Sequence, residues 1–269
     1  MKKYLNFTGM RKTKLFGIIP ARMAASRFPG KPLKKINGIP MIQHVYERAN
    51  LFREWEDLQI ATCDQEIRIF ANKKKYPIIM TSKKHKRCLD RVYEAAKKIS
   101  KIKNNDLVVC VQGDEPMLHP SMIKNVIKPF YKNKKVKGTV LAMDIENKKQ
   151  FFNKNIVKIV HDEKDEVLYT SRSPIPYTKN FNKKIGAKRI YGIFAFKWFF
   201  LKKFYHTKES NLEKIESCDS NRICDNGRGQ YIARQKYFPS FSVDTKQDLL
   251  LVEKFIRKDS LTKTYCNKK

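Results

Sequence analysis

Three cations and three carboxylates stand out by type and place. Arg22, Arg27 and Lys31 crowd the stretch IIPARMAASRFPGKPLKKI (18–36), which also holds Pro29, Gly30 and Pro32. Planar guanidinium forks bind phosphate oxygens in pairs, a lysine adds a mobile point charge, and glycine lets backbone approach a ligand closely. The combination suits a phosphate-rich ligand, although neither G-x-x-x-x-G-K-[ST] nor G-x-G-x-x-G is present. An ordinary basic surface loop would share this composition. The second group is VQGDEPM (111–117), where Asp114 and Glu115 close an otherwise apolar run. A carboxylate facing a phosphate loop would attract Mg²⁺, which takes one or two carboxylates plus substrate phosphates. Gly-Asp-Glu-Pro is equally good turn chemistry. The third is Asp244 in SVDTK, which either caps the helix that follows or completes a metal site with Asp114.

These groups need elements to hold them. LFGIIPA (15–21), LQIATCD (58–64), PIIMTS (77–82) and DLVVCVQGDEP (106–116) read as strands, the last as the strongest. PMIQHVYERANLF (40–52), EIRIFANKK, LDRVYEAAKKIS (89–100) and PSMIKNVIKPFYK read as helices, the last bent or stopped near Pro129. Regular βαβα alternation predicts an α/β fold with a mostly parallel sheet and helices on both faces. Ligands of such sheets bind beyond the carboxyl ends of the strands, where both PARMAASRFPGK and QGDEP fall. GTVLAMDI reads as one more core strand and NIVKIVHDEKDEVLYTSR (155–172) as a hairpin turning at 162–165. SPIPY then forces a helix-free loop. Residues of about 145–200 read as a mixed insertion within a single domain of 15–260. LEKIESCDSNRICDNG (212–227) reads as one helix closed by Gly227, and SVDTKQDLLLVEKFIRKD (242–259) as a strand end, a cap and a final helix. The tail 261–269 is expected to fray.

Composition narrows the function classes. The chain has 269 residues, 41% hydrophobic, enough for a substantial core. No run approaches the ~20 apolar residues that span a bilayer. The basic stretch 1–14 reads as a short extension and not as a signal peptide. The net charge is +32, but 44 lysines against 14 arginines, scattered through most polar segments, describe a solvated surface better than a nucleic-acid arm. No nucleic-acid partner is expected, whereas an anionic small substrate is. Six cysteines show no C-x-x-C pair, which points to reduced thiols and a cytoplasmic setting. The histidines read as polar or structural groups, and Trp55, Trp198 and FKWFF as core or interface.

IIPARMAASRFPGKPLKKINGIPMIQHVYERA, VQGDEPM and VDTKQDL, in this order, resemble the CMP-Kdo synthetase family, the 3-deoxy-manno-octulosonate cytidylyltransferases, over about residues 15–258. The resemblance implies a Rossmann-like nucleotidyltransferase fold whose insertion serves sugar binding and dimerisation, and a homodimer. It implies the substrates CTP and an acid sugar, with Mg²⁺ as cofactor. It places the nucleotide on Pro20, Ala21, Arg22, Ser26, Arg27, Gly30, Lys31, Arg91 and Gln112, with Arg22, Lys31 and Asp114 as the catalytic group. It places Mg²⁺ on Asp114 and Asp244. YTSRSPIPY matches the family's sugar-site segment and nominates Arg172 for the substrate carboxylate, with Tyr191, Glu216 and Asp219 beside it.

The pattern breaks in three places. The family's His-x-Ser-Gly-Thr-[Asp/Glu]-Arg reads HKRCLDR here, so Arg87, Cys88 and Leu89 replace small groups near the cytosine. Ile190 stands for a His and Phe194 for a Tyr of the sugar region. Asp219-Ser220 stands for Glu-Gln. A site built on hydrogen bonds to sugar hydroxyls discriminates strongly, so these changes point to a related but different acid sugar.

Overall fold

Leu15–Pro20 (β1) is buried at all six positions, as its unbroken apolar run requires of a strand covered on both faces. The structure, a computed structural model, describes residues 13–25, 27–227 and 229–266. Ser26, most of the 1–14 extension and the end of the tail lie outside the described residues.

A two-residue ladder, β2 (Lys35–Ile36) with β3 (Ile39–Pro40), leads into α1 (Met41–Asn50). Then come β4 (Asp57–Thr62), α2 (Gln65–Lys73), β5 (Ile78–Met80), α3 (Cys88–Lys97), β6 (Leu107–Val111) and α4 (Pro120–Lys132). From α1 onward these fall on segments whose periodicity predicts them, and α4 runs through Pro129 without ending there. β7 (Gly138–Asp144), α5 (Lys148–Phe152) and the hairpin of β8 (Lys158–His161) and β9 (Val167–Ser171) follow. β10 (Lys188–Lys197), α6 (Trp198–His206), α7 (Asn211–Glu216), α8 (Ser220–Asp225), β11 (Gln230–Gln235), α9 (Lys246–Ile256) and α10 (Ser260–Cys266) complete the chain.

The sheet runs β11-β7-β10-β6-β1-β4-β5, with β8 on β10 and β9 on β8. β1 lies parallel to β4 and β6, β4 to β5, and β7 to β11. β10 alone in this row is antiparallel, to β6 and β7 alike. Two cores cover the faces. Ile19, Val109 and Val111 pack with Ile42 of α1 and Val126 of α4. Ile18, Val108 and Cys110 pack with Val92 of α3 and Leu201 of α6. The α/β fold with a mostly parallel sheet and helices on both faces is the one the alternation predicts.

Three expectations are corrected, and one strand appears where the sequence reading names none. IYGIFAF is a central strand, so the insertion expected to reach residue 200 gives way to the main sheet at Lys188. The reason is that continuous apolarity marks burial, not strand direction. The helix expected over 212–227 is two helices, parted where Ser217 turns left-handed at φ 51°. β11 is a parallel edge strand that the polar ends of QYIARQ conceal. The tail does not fray over Ser260–Cys266. Its Tyr265 and Thr262 hydroxyls meet Arg48, a fully buried guanidinium of α1 that also ion-pairs with Asp259. A buried cation must be paired, and α10 supplies the partners.

Candidate active site

The carboxyl ends of β1 and β6 open into a cleft of about 840 Å³. Gly30 takes the left-handed conformation, φ 72°, and caps a 3₁₀ turn over Lys31–Leu33. That turn sends Lys31 back across the strand ends. Its Nζ donates to Asp114 Oδ2 at 2.8 Å, to Asp244 Oδ1 at 3.1 Å and to the Val243 carbonyl at 2.9 Å. Burial works against its charge, but Asp114 and Asp244 outweigh burial and raise its pKa, so the ammonium is permanent at neutral pH.

Asp244 reaches the site because Thr245 takes the cap of α9. The Thr245 hydroxyl accepts from the Asp248 amide, and the Asp248 carboxylate accepts from the Thr245 amide, a reciprocal capping box. The Asp244 carboxylate is thereby left for the cleft. Val243 N donates to the Asp114 carbonyl at 2.9 Å and fixes the two segments side by side. Arg27 then spans the mouth, with Asp244 Oδ2 at 3.0 Å on one side and Asn155 Oδ1 at 2.7 Å on the other.

Two carboxylates that already share one cation suit a second. Asp114 Oδ1 is buried and has no hydrogen-bond partner, so one oxygen of the pair is free for a metal. No group of three or more His, Cys, Asp or Glu side chains fit for a metal occurs among the described residues. This donor set fits Mg²⁺, which needs few protein oxygens when phosphates supply the rest.

Glu115 is 2% exposed and ties three segments together. Its Oε1 accepts from Gly192 N of β10 at 3.0 Å and from Ser242 Oγ at 2.6 Å. Burial first, and then the neighbouring Asp114 charge, push its pKa up to about 7. A Cβ at position 192 would lie 2.5 Å from Gln112 Oε1 and 2.8 Å from Glu115 Oε1, so any larger residue there must displace these two side chains.

The segment Arg87–Arg91 forms another wall. Arg87 Nε donates to Glu209 at 2.8 Å, and its guanidinium also reaches the Glu213 carbonyl. Leu89 N donates to Asp219 Oδ2 at 3.0 Å. Arg222 grips the fully buried Glu213 through two bonds of 2.6 and 2.7 Å and also reaches Asp90. Burial raises the Asp219 pKa to about 6. The Leu89 side chain turns into the core, and only Arg87, Cys88 and Arg91 of this stretch line the cleft.

Of the residues nominated from sequence, Pro20, Ala21, Arg22, Arg27, Lys31 and Arg91 line the cleft. So do Gln112, Asp114, Arg172, Asp219 and Asp244. Gly30 shapes the loop from outside. Tyr191 is a correction: it is fully buried on the opposite face of β10, its hydroxyl bonded to Ser240. Strand alternation aims Ile190, Gly192 and Phe194 at the cleft and Tyr191 away from it. Glu216 is a second correction. It does not line the cleft but braces Arg172 from behind, accepting from Arg172 N at 2.8 Å and Ser171 Oγ at 2.6 Å. Arg189, which also lines the cleft and donates to the Ser240 carbonyl, was missed. In a chain this basic, nothing in its type or spacing sets it apart.

The family model for cytidylyltransferases matches residues 16–236, most of the chain. The chain belongs to the cytidylyltransferase family. As a member it is a nucleotidyltransferase, and its relatives are of the CMP-Kdo synthetase branch. It is 38% identical over 246 residues to the 3-deoxy-manno-octulosonate cytidylyltransferase of Thermodesulfovibrio yellowstonii, covering 88% of this chain and 96% of that protein. It is 37% identical to the enzyme of the same name from Vibrio campbellii, covering 90% and 98%. Among solved structures it is similar to CMP:2-keto-3-deoxy-manno-octonic acid synthetase complexed with CTP. The TM-score is 0.82 at 30% identity, covering 91% of this chain and 99% of that one. This cytidylyltransferase has no helix among its described residues long and apolar enough to cross a membrane.

Proposed function

We propose that this cytidylyltransferase joins CTP to 3-deoxy-manno-octulosonate or a closely related acid sugar, giving a CMP-sugar and pyrophosphate. The observation that carries the reading is the Lys31–Asp114–Asp244 cluster beneath a cleft whose walls hold Arg22, Arg27, Arg91, Arg172 and Arg189. Two anionic substrates must meet there, and a cation-lined cleft lowers their repulsion.

In this reading Arg22, Arg27 and Lys31 hold the triphosphate, and Gln112 lies beside the nucleotide. Arg172 takes the carboxylate of the sugar. The anomeric hydroxyl attacks the α-phosphate in line and pyrophosphate leaves, with no covalent enzyme intermediate. Positioning and preorganised charge carry such a step. Mg²⁺ held by Asp114 and Asp244 would supply charge neutralisation on the phosphate oxygens. A homodimer is the expected assembly. Tyr177 and Ile215, 83% and 77% exposed near the insertion, are apolar surface that such an interface would cover. Sedimentation checks it, and a monomer at working concentration refutes it. Cysteines that form no disulfide among the described residues suit a cytoplasmic setting.

The test is pyrophosphate release with Mg²⁺ across CTP, UTP, ATP and GTP and a panel of acid sugars, wild type beside Asp114→Asn. Release with CTP and one sugar acid, sharply lowered in the variant at the same Mg²⁺ concentration, supports the reading. Release with another base would mean that Arg87 and Cys88 changed nucleotide choice. Silence throughout refutes it.

A further inference from the structure

Lys158, at the start of β8, is fully buried, yet among the described residues no carboxylate lies within ion-pairing distance of its ammonium. Its Nζ donates to three backbone carbonyls: Asn153 at 3.0 Å, Ile156 at 2.7 Å and Arg172 at 2.5 Å. An ammonium has three N–H groups, so its donors are used in full. Burial, and then the positive charge of Arg172, lower its pKa to about 8, and it remains cationic at neutral pH. A buried cation is kept only where its partners repay desolvation, and here the partners all belong to one corner of the cleft.

That corner is the seat of Arg172. Its backbone N donates to Glu216 Oε2, its Nε to the Glu216 carbonyl at 3.0 Å and its NH1 to the Lys154 carbonyl at 3.1 Å. Among the described residues its NH2 nitrogen makes no hydrogen bond, and the side chain lines the cleft. Lys158 grips the carbonyl of Arg172 itself and both flanks of the 153–156 loop that receives the guanidinium. Without the ammonium, the Ile156 and Arg172 carbonyls would lose the donor they share with Asn153, whose own carbonyl keeps the Ile156 amide.

We propose that Lys158 is a positioning residue for the acid sugar. By clamping the 153–156 loop to the Arg172 backbone, it holds the free edge of the Arg172 guanidinium toward the acceptor carboxylate. Lys158 itself is sealed from the cleft and touches no substrate. The inference rests on the proposed role of Arg172 in cytidylyl transfer. It explains why a lysine stands where an apolar strand residue would cost less to bury.

The experiment is steady-state pyrophosphate release with CTP, 3-deoxy-manno-octulosonate and Mg²⁺. Lys158→Met, Lys158→Gln, Arg172→Ala and the Met/Ala double variant are compared with wild type, and circular dichroism checks each fold. Lys158→Met is expected to raise the KM for the sugar about ten- to a hundredfold and to leave the KM for CTP within about twofold. The double variant is expected to be no worse than Arg172→Ala alone, since both changes remove the same interaction. If Lys158→Met does not fold, Lys158→Gln, which keeps a donor without the charge, decides by the same split. Equal rises in both KM values, or additivity with Arg172→Ala, would overturn the inference. If Arg172→Ala raises the sugar KM and the Lys158 variants do not, the inference alone falls. If Arg172→Ala leaves it unmoved, the Arg172 role in the proposed function falls and takes the inference with it.

Discussion

Lys31 Nζ lies 2.8 Å from Asp114 Oδ2, and this pair joins the loop after β1 to the end of β6. The same ammonium reaches Asp244 at 3.1 Å. One cation thus organises both carboxylates proposed to hold the metal. Lys31→Met is expected to lower kcat/KM by about a hundred- to a thousandfold, the scale of losing a preorganised charge at a reacting phosphate. Kinetics with CTP and the sugar check it, and near-wild-type turnover would remove Lys31 from the site.

Chelation is the second prediction. Removing divalent metal should abolish pyrophosphate release, and Mg²⁺ should restore it. Asp114→Asn and Asp244→Asn should each demand much more Mg²⁺ for half-maximal rate, because each takes one charged oxygen from the proposed pair. A Mg²⁺ titration of each variant reads this directly.

Truncation after Asp259 is the third. It removes the Thr262 and Tyr265 hydroxyls from Arg48 and leaves a fully buried guanidinium under-paired. The expected loss is about 3 kcal/mol, seen as a fall in Tm of roughly 10 °C. Tyr265→Phe should cost about 1–2 kcal/mol through the same bonds. Thermal melts of the three proteins check the order.

The fourth concerns acid. His44 is buried, with its ring nitrogens bonded to Tyr265 Oη and the Ile36 carbonyl. Burial lowers its pKa from 6.5 to about 4. The unfolded chain therefore binds a proton that the folded chain refuses. Stability is intact above pH 6.5 and falls as the pH drops toward about 4, by about 3 kcal/mol at most from this group. Asp219, with its pKa raised from 3.8 to about 6, acts oppositely, so its penalty disappears as the pH falls through that range. Denaturant unfolding across these pH values should show a shallower acid loss in His44→Gln than in wild type. Equal slopes would exclude His44 as the source.

The strand ends and their charged loops were legible because parallel strands must be apolar and their termini must not be. Lys31, Asp114 and Asp244 could be nominated from type and place. The sequence left Asp244 between cap and ligand, and the Thr245–Asp248 box shows only that Asp244 is not the cap. Tyr191 was misplaced because one residue of register turns a side chain to the other face. Glu216 and Lys158 support Arg172 through backbone atoms, and no side-chain pattern reports that. The bend at Ser217 was hidden because serine rarely signals a left-handed turn.

Asp244 follows β11, the last strand of the sheet. Every strand is therefore synthesised before the second carboxylate of the cluster exists. A nascent chain can lay down its whole sheet while still unable to assemble Lys31, Asp114 and Asp244.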